Sequence, residues 1–343
     1  MKKVSVIIVN WNGKDVLSGC LRSLSGQDYD NFEVLVVDNG SEDGSQALVK
    51  NEFLSVKLIE NEENLGFGPA VNKGFEQAEG DYLLFLNNDL VLQPDCIRQL
   101  AVLLDSDSTV GAAIPKILYY PDDDSLKEAA KINSYGVLVN YTGVACPNLI
   151  GQLDDPSLSL TESACGGIFM FPRKVYEEVG GFDEDLFLYH EDHDLSWRIR
   201  MMGWKLLVTP DSVCNHHYNF NKGVLKFYRS EKNRLHILLK NFECKTLWLI
   251  APAVVLVELA QIVHSIFHGW FFLKLKSYLE IAEQSIKISR KRRKIQSTRK
   301  VADKEIIKLY QATIAVTGLK NPLVDYCLNP ILRVYWVVIR RWI

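Results

Sequence analysis

No Cys-x-x-Cys pair occurs in the 343 residues, and the seven cysteines (Cys20, Cys96, Cys146, Cys165, Cys214, Cys244, Cys327) are scattered and odd in number. Neither a zinc site nor a disulfide framework is indicated, and a reducing cytosol is the expected compartment. Gly-x-Gly-x-x-Gly and the phosphate-loop pattern are missing too, which weakens dehydrogenase and NTPase readings. There is no internal repeat, and the only biased tract is the basic run near residue 290. The apolar run after the first lysines, Val4–Val9, is short and reads as a strand, not a signal peptide. Excess charge of one sign is missing overall, since the net charge is −3. It is nevertheless unevenly spread: residues 1–230 hold 34 acids and 19 bases, and residues 231–343 hold 8 acids and 20 bases. An acidic first part argues against a nucleic-acid partner, which needs a basic face. The basic, apolar second part suits an anionic membrane surface.

What is present is an alternation. "VSVIIV" (Val4–Val9), "FEVLVVDNGS" (Phe32–Ser41), "VKLIEN" and "DYLLFLNNDLVL" (Asp81–Leu92) read as strands, with helical periodicity after each. Four such units predict a doubly wound, Rossmann-like α/β sheet. Ligands of such sheets sit beyond the carboxyl ends of the strands. Asn10 and Asn12, Asp38, and Asn87-Asn88-Asp89 cluster there. An Asp at a strand end suits a divalent cation with a diphosphate, or a plain turn. After about residue 110 the alternation stops; residues 111–163 read as long loops, and "CGGIFMF" and "KLLVT" as strands.

"FLYHEDHDLSW" (Phe187–Trp197) crowds Glu191, Asp192 and Asp194 at the start of a helix. Helical spacing places Asp192 at the head of an apolar stripe with Leu195, Ile199 and Met202. Asp194 is expected to form a surface ion pair with Arg198 at i+4. Asp192 then reads as a general base, or alternatively as an acid bonded to backbone N–H groups; Glu191 could support the base or bind acceptor hydroxyls. "VCNHHY" offers His216 or His217 as a ligand beside the acid-rich strand ends.

"TLWLIAPAVVLV" (Thr246–Val257) continues through Glu258 to "GWFFLKL" and is followed by "RKRRKIQSTRK" and a closing "VYWVVIRRWI". It spans a bilayer only if Glu258 is buried; an interfacial helix pair is the alternative. Membrane contact is the expectation.

The stretches "VSVIIVNWNG", "VLVVDNGSEDGS", "NLGFGPAVNKG", "LLFLNND", "GGFDEDLFLYHEDHDLSWRIRMMGW", "NHHYNFNKG" and "EKNRLHILLKNF", in this order, resemble family 2 glycosyltransferases of GT-A fold, especially the rhamnosyltransferase-like branch. The resemblance implies a catalytic domain over residues 1–242 and a helical membrane-associated region over 243–343, whose apolar run and basic cluster are expected to hold it on the cytoplasmic face of the cell membrane. It implies inverting transfer from a nucleotide-diphosphate sugar, of the dTDP-rhamnose or UDP-sugar class, to a hydroxyl of a lipid-linked glycan in cell-envelope polysaccharide synthesis. By the same resemblance Asp38 would bond the base, Asn64 and Gly66 fall in the base- and ribose-binding loop, and Asn87-Asn88-Asp89 stands at the DxD motif. The motif's first Asp is Asn here, leaving Asp89 as the main carboxylate for Mg²⁺ or Mn²⁺. Asp192 takes the base role, and His216 completes the metal or diphosphate site.

A sugar-phosphate nucleotidyltransferase would share the strand–helix order, but "NWNGKDVLSG" is not a triphosphate loop. A non-catalytic glycan-binding protein would not need Asp89, Asp192 and the histidines together.

Overall fold

The computed structural model describes residues 1–121, 130–217, 223–315 and 322–343. Residues 218–222 of "NHHYNFNKG" lie outside the described residues. The chain forms two compact units. The first comprises Met1–Val137, Pro147–Phe187 and Trp204–Asn219; the second comprises Leu138–Cys146, Leu188–Gly203 and Phe220–Ile343.

In the first unit the expected alternation is present: β1 (Val4–Asn10), α1 (Lys14–Ser25), β2 (Phe32–Asp38), α2 (Ser45–Glu52), β3 (Lys57–Glu60), α3 (Phe67–Glu76), β4 (Tyr82–Asn87), β5 (Leu90–Leu92) and α4 (Cys96–Ser106). Strands β4, β1, β2 and β3 lie side by side and parallel. β1 is buried at every residue, as an inner strand covered on both faces must be. Val6, Ile8, Val36, Leu84 and Leu86 form its core with Leu17, Leu21 and Leu24 of α1.

The sheet does not end there, and the stretch 111–163, of which 122–129 lies outside the described residues, is not loop throughout. β6 (Val110–Tyr119) is a ten-residue strand inside the sheet, and β7 (Ile132–Ser134) pairs with it. β10 (Thr161–Glu162), β11 (Ile168–Pro172), α5 (Arg173–Val179) and β12 (Lys205–His216) complete the unit. The order is β10-β12-β6-β11-β4-β1-β2-β3, with β11 antiparallel to β4 and β12 parallel to β6. β6 escapes sequence reading because its small residues and Pro115 break the pattern of a strand. Pro115 has no N–H to give, and β12 shifts register beside it, between Thr209 and Val213.

The second unit carries a two-stranded sheet, β8 (Val137–Val139) with β9 (Ala145–Pro147), and helices α6 (Glu191–Met201), α7 (Gly223–Asn241), α8 (Cys244–Phe267), α9 (Phe271–Glu283), α10 (Ser285–Thr298), α11 (Asp303–Ile306) and α12 (Asn329–Ile339). Trp197 of α6 is its aromatic centre, edge-on to Phe242 at 4.3 Å and to Tyr310 at 5.6 Å.

Candidate active site: strand ends and an acidic helix start

At the carboxyl ends of β1 and β2, Asn10 lies in register with Asp38. Asn10 Nδ2 donates to Asp38 Oδ2 at 2.9 Å, and Asn88 Nδ2 donates to Asn10 Oδ1 at 2.8 Å. Gly13 lies against this pair so closely that a Cβ there would collide with the Asn88 and Asn10 amides. Asp38 is 1% exposed. Its Oδ1 accepts from Ser41 N and from Gln46 Nε2, both at 2.8 Å, so this carboxylate shapes the loop after β2. Asn12 has φ +49°, and its Oδ1 caps Glu42 N at 2.8 Å.

The loop before α3 is held by amides. Asn64 Oδ1 accepts from Gly66 N at 2.9 Å, and Asn39 Nδ2 donates to Gly66 O at 3.0 Å. Gly66 has φ +89°, and a Cβ there would fall 2.7 Å from the Phe187 ring. Only glycine serves at such a position. Asn39 and Asn61, joined at 2.8 Å, were not singled out by sequence; the signal was the "DNG" after β2.

Asp89 follows β4 in a tight turn. His216, the last residue of β12, pairs with Leu90 of β5. His216 Nε2 thereby comes to 3.1 Å from Asp89 Oδ2. Its Nδ1 lies 3.0 Å from Asn133 Oδ1, which orients the ring with Nε2 toward the carboxylate. Asn133 lies in the stretch read as loop, without a pattern to reveal it. His217 instead stacks on Tyr120, with ring centroids 3.6 Å apart. No group of three or more His, Cys, Asp or Glu side chains able to hold a metal converges among the described residues.

Glu191 and Asp192 belong to the second unit. Just before α6, Tyr189 and His190 both take left-handed backbone, φ +73° and +68°. For side-chain-bearing residues this costs about 1–2 kcal/mol each. Helix α7 holds the turn. Asn233 Nδ2 donates to Leu188 O at 3.0 Å and to Tyr189 O at 2.7 Å, and Ser230 Oγ lies 3.0 Å from His190 Nε2. Burial holds His190 and His193 well below the ordinary imidazole range, at about 4 and about 3. Glu191 is buried, and its Oε2 has no hydrogen-bond partner among the described residues. Burial, with the neighbouring Asp192 charge, pushes its carboxyl up to about 8.

The expected helical phase is corrected here. Asp194, not Asp192, is the most buried of the three acids of this helix start, at 0% exposure. Its pair with Arg198 is real but not on the surface: Arg198 Nε lies at 2.8 Å, Lys240 Nζ at 2.7 Å and Asn241 Nδ2 at 2.9 Å. Helix α6 is buried on all sides from His193 to Met201, so an apolar stripe could not tell its faces apart. Asp192 is only half-buried, and its Oδ1 accepts from His193 N at 2.7 Å.

The profile of glycosyl transferase family 2 matches residues 5–180, just over half of the chain. The chain belongs to this family. Among curated relatives, poly-beta-1,6-N-acetyl-D-glucosamine synthase of Staphylococcus aureus is 23% identical over 223 residues, 62% of this chain and 50% of the synthase. An uncharacterised Sinorhizobium fredii protein, y4gI, is 26% identical over 242 residues, 64% of this chain and 25% of that protein. The chain thus spans half or less of these relatives' length. Among solved structures, a Pyrobaculum calidifontis mannosyltransferase in complex with GDP-Man and Mn²⁺ superimposes with TM-score 0.53 at 19% identity, covering 99% of this chain and 87% of that one. GalNAc-T7 with UDP, GalNAc and Mn²⁺ gives TM-score 0.57 at 20% identity, over 70% of this chain and 49% of that one. With these neighbours, the first unit's mixed sheet is a GT-A fold, followed by C-terminal helices.

Proposed function

We propose that this family 2 member is an inverting, metal-dependent glycosyltransferase moving a sugar from a nucleotide-diphosphate donor, of the dTDP-rhamnose or UDP-sugar class, to a hydroxyl of a lipid-linked glycan at the cytoplasmic face of the membrane. The observation that carries it is the pairing of Asp89 with His216 at a strand end, beside the Asn10–Asp38–Asn88 network. One carboxylate oxygen and one imidazole nitrogen fit Mg²⁺ or Mn²⁺ whose other ligands are phosphate oxygens. The solved structures holding Mn²⁺ with UDP or GDP-Man support that reading. A cation so held would offset negative charge growing on the leaving diphosphate.

The amide-built loop around Asn39, Asn64 and Gly66 receives the base and ribose, with Asp38, Asn10 and Asn12 fixing the loops around it and Asn87 and Asn88 bordering the diphosphate. Asp192, half-buried at the head of α6, takes the proton from the acceptor hydroxyl. That oxygen attacks the anomeric carbon from the face opposite the nucleotide, the bond to the diphosphate breaks, and configuration inverts. Glu191 is neutral below about pH 8 and can donate a hydrogen bond to an acceptor oxygen without competing for its proton.

Mixed UDP-, dTDP- and GDP-sugars, offered with Mn²⁺ and a lipid-linked acceptor extract, test the reading by release of nucleoside diphosphate. Turnover with one donor, abolished in Asp192→Asn, supports it. Binding of glycan with no release from any donor would indicate a non-catalytic protein.

A further inference from the structure

Three of the C-terminal helices, α8, α9 and α12, leave large apolar residues exposed. Along α9 the buried positions are Lys274 and Ser277, while Phe272, Leu275, Leu279 and, just past the helix, Ile286 are exposed, Phe272 at 83%. Along α8 one face exposes Trp248 (81%), Val255, Leu259, Val263, Ile266 and Phe267. The one carboxylate of α8, Glu258, turns inward. It meets Lys274 Nζ at 2.8 Å and Tyr278 Oη at 2.5 Å from α9, and also pairs with Arg234 of α7. Arg234 and Lys274 in turn share Glu231, at 2.8 and 3.0 Å. Helix α12, tied to α8 by Tyr335 Oη donating to Leu249 O at 2.8 Å, buries Leu332, Trp336 and Ile339. It exposes Ile331, Val334, Val337 and Val338, with Trp342 just beyond its end.

A water-facing helix should show the reverse pattern. Exposed cations edge this face: α12 has no carboxylate, and its exposed Arg333, and Arg340 and Arg341 at its end, interleave with the apolar residues, while α9 ends in the exposed carboxylate Glu283. Lys245 stands beside Trp248, and Lys276 beside Leu275. Apolar residues that need a non-aqueous phase, edged by exposed cations and a Trp, match an anionic lipid surface.

We infer that α8, α9 and α12 lie in the plane of an anionic membrane, with their exposed apolar residues among the acyl chains, and that α8 does not cross it. α8 is long and apolar enough to cross a bilayer by length and composition. To stand across one, it would have to leave α7 and α9 and carry Glu258 into hydrocarbon without its cations, or drag the whole charge cluster there. The cluster therefore acts as a weld that holds α8 flat. The inference rests on the membrane part of the proposed function and is independent of its chemistry.

Purified full-length protein is floated with vesicles of phosphatidylcholine alone or with phosphatidylglycerol. The expected result is flotation with the anionic vesicles. The surface variant Trp248→Glu/Leu259→Glu/Phe272→Glu should keep the wild-type melting curve and lose flotation by on the order of tenfold or more. Depth is read with Leu259→Trp and lipids brominated near the headgroup or near the midplane. Added fluorescence quenched mainly by the shallow bromines is expected. Quenching mainly by midplane bromines would show that α8 spans, overturning the flat orientation but not the membrane reading. No flotation with either vesicle overturns both, and a dimer by light scattering would then assign the face to a second copy. Transfer to a soluble acceptor, measured in parallel, reports the chemistry separately.

Discussion

At the residue scale, Asp192 and Asp194 stand two positions apart and face different surroundings. Asp192→Asn keeps size and removes proton-accepting power, so transfer should fall by on the order of 10²–10⁴ with donor binding and melting temperature little changed. Asp194→Asn weakens a fully buried carboxylate's hold on Arg198 and Lys240, so the loss should appear in stability, about 3–5 kcal/mol by denaturant titration. An Asp194 variant that melts normally but fails to transfer would make Asp194 the base. Glu191 adds a pH signature. Its carboxyl is raised to about 8 from an ordinary value of 4.5, so the folded state keeps a proton that the unfolded state releases, and stability falls as pH rises across that interval. His190 and His193, lowered to about 4 and about 3 from 6.5, act oppositely: the unfolded state takes up protons first, and stability falls as pH drops below about 6.5. Melting of Glu191→Gln and wild type should therefore coincide near pH 4 and diverge toward pH 8, with the variant higher. A constant gap across that range would contradict the burial of Glu191.

At the element scale, the parallel half of the sheet was legible because β1, β2 and β4 are buried runs ending in polar residues, and their ends are where Asn10, Asp38 and Asp89 stand. The partners that fix these residues were less legible. Asn133 and His216 meet only because β7 and β12 both pair with β6, a long-range arrangement that no local spacing encodes. Asn233 lies in the quoted stretch "EKNRLHILLKNF", yet its role depends on α7 reaching the turn before α6. The phase of α6 could not be read, since burial on every side removes the contrast that a helical stripe supplies. Asn233→Ala frees two backbone carbonyls and relaxes the left-handed Tyr189–His190 turn that presents Glu191 and Asp192. A loss of about 1–3 kcal/mol in stability is expected, together with a lower kcat at nearly unchanged donor KM. A raised donor KM at unchanged kcat would show that the turn serves donor binding instead.

At the scale of the whole molecule, the acidic sheet unit carries the proposed donor site, and the basic helical unit carries the acidic helix start and the exposed apolar residues of α8, α9 and α12. The proposed chemistry depends above all on a nucleoside diphosphate binding through a cation at Asp89 and His216. The direct measurement is thermal unfolding with UDP, dTDP and GDP, each with Mn²⁺, with Mg²⁺ or with EDTA, on wild type, Asp89→Ala and His216→Ala. A ligand bound only by the folded state raises its stability, by about 2.7 kcal/mol at a hundredfold excess over Kd. The account predicts that one nucleotide raises the wild-type melting temperature only when a divalent cation is present, and that both variants lose this increment. An equal increment with EDTA, or in Asp89→Ala and His216→Ala, would contradict it.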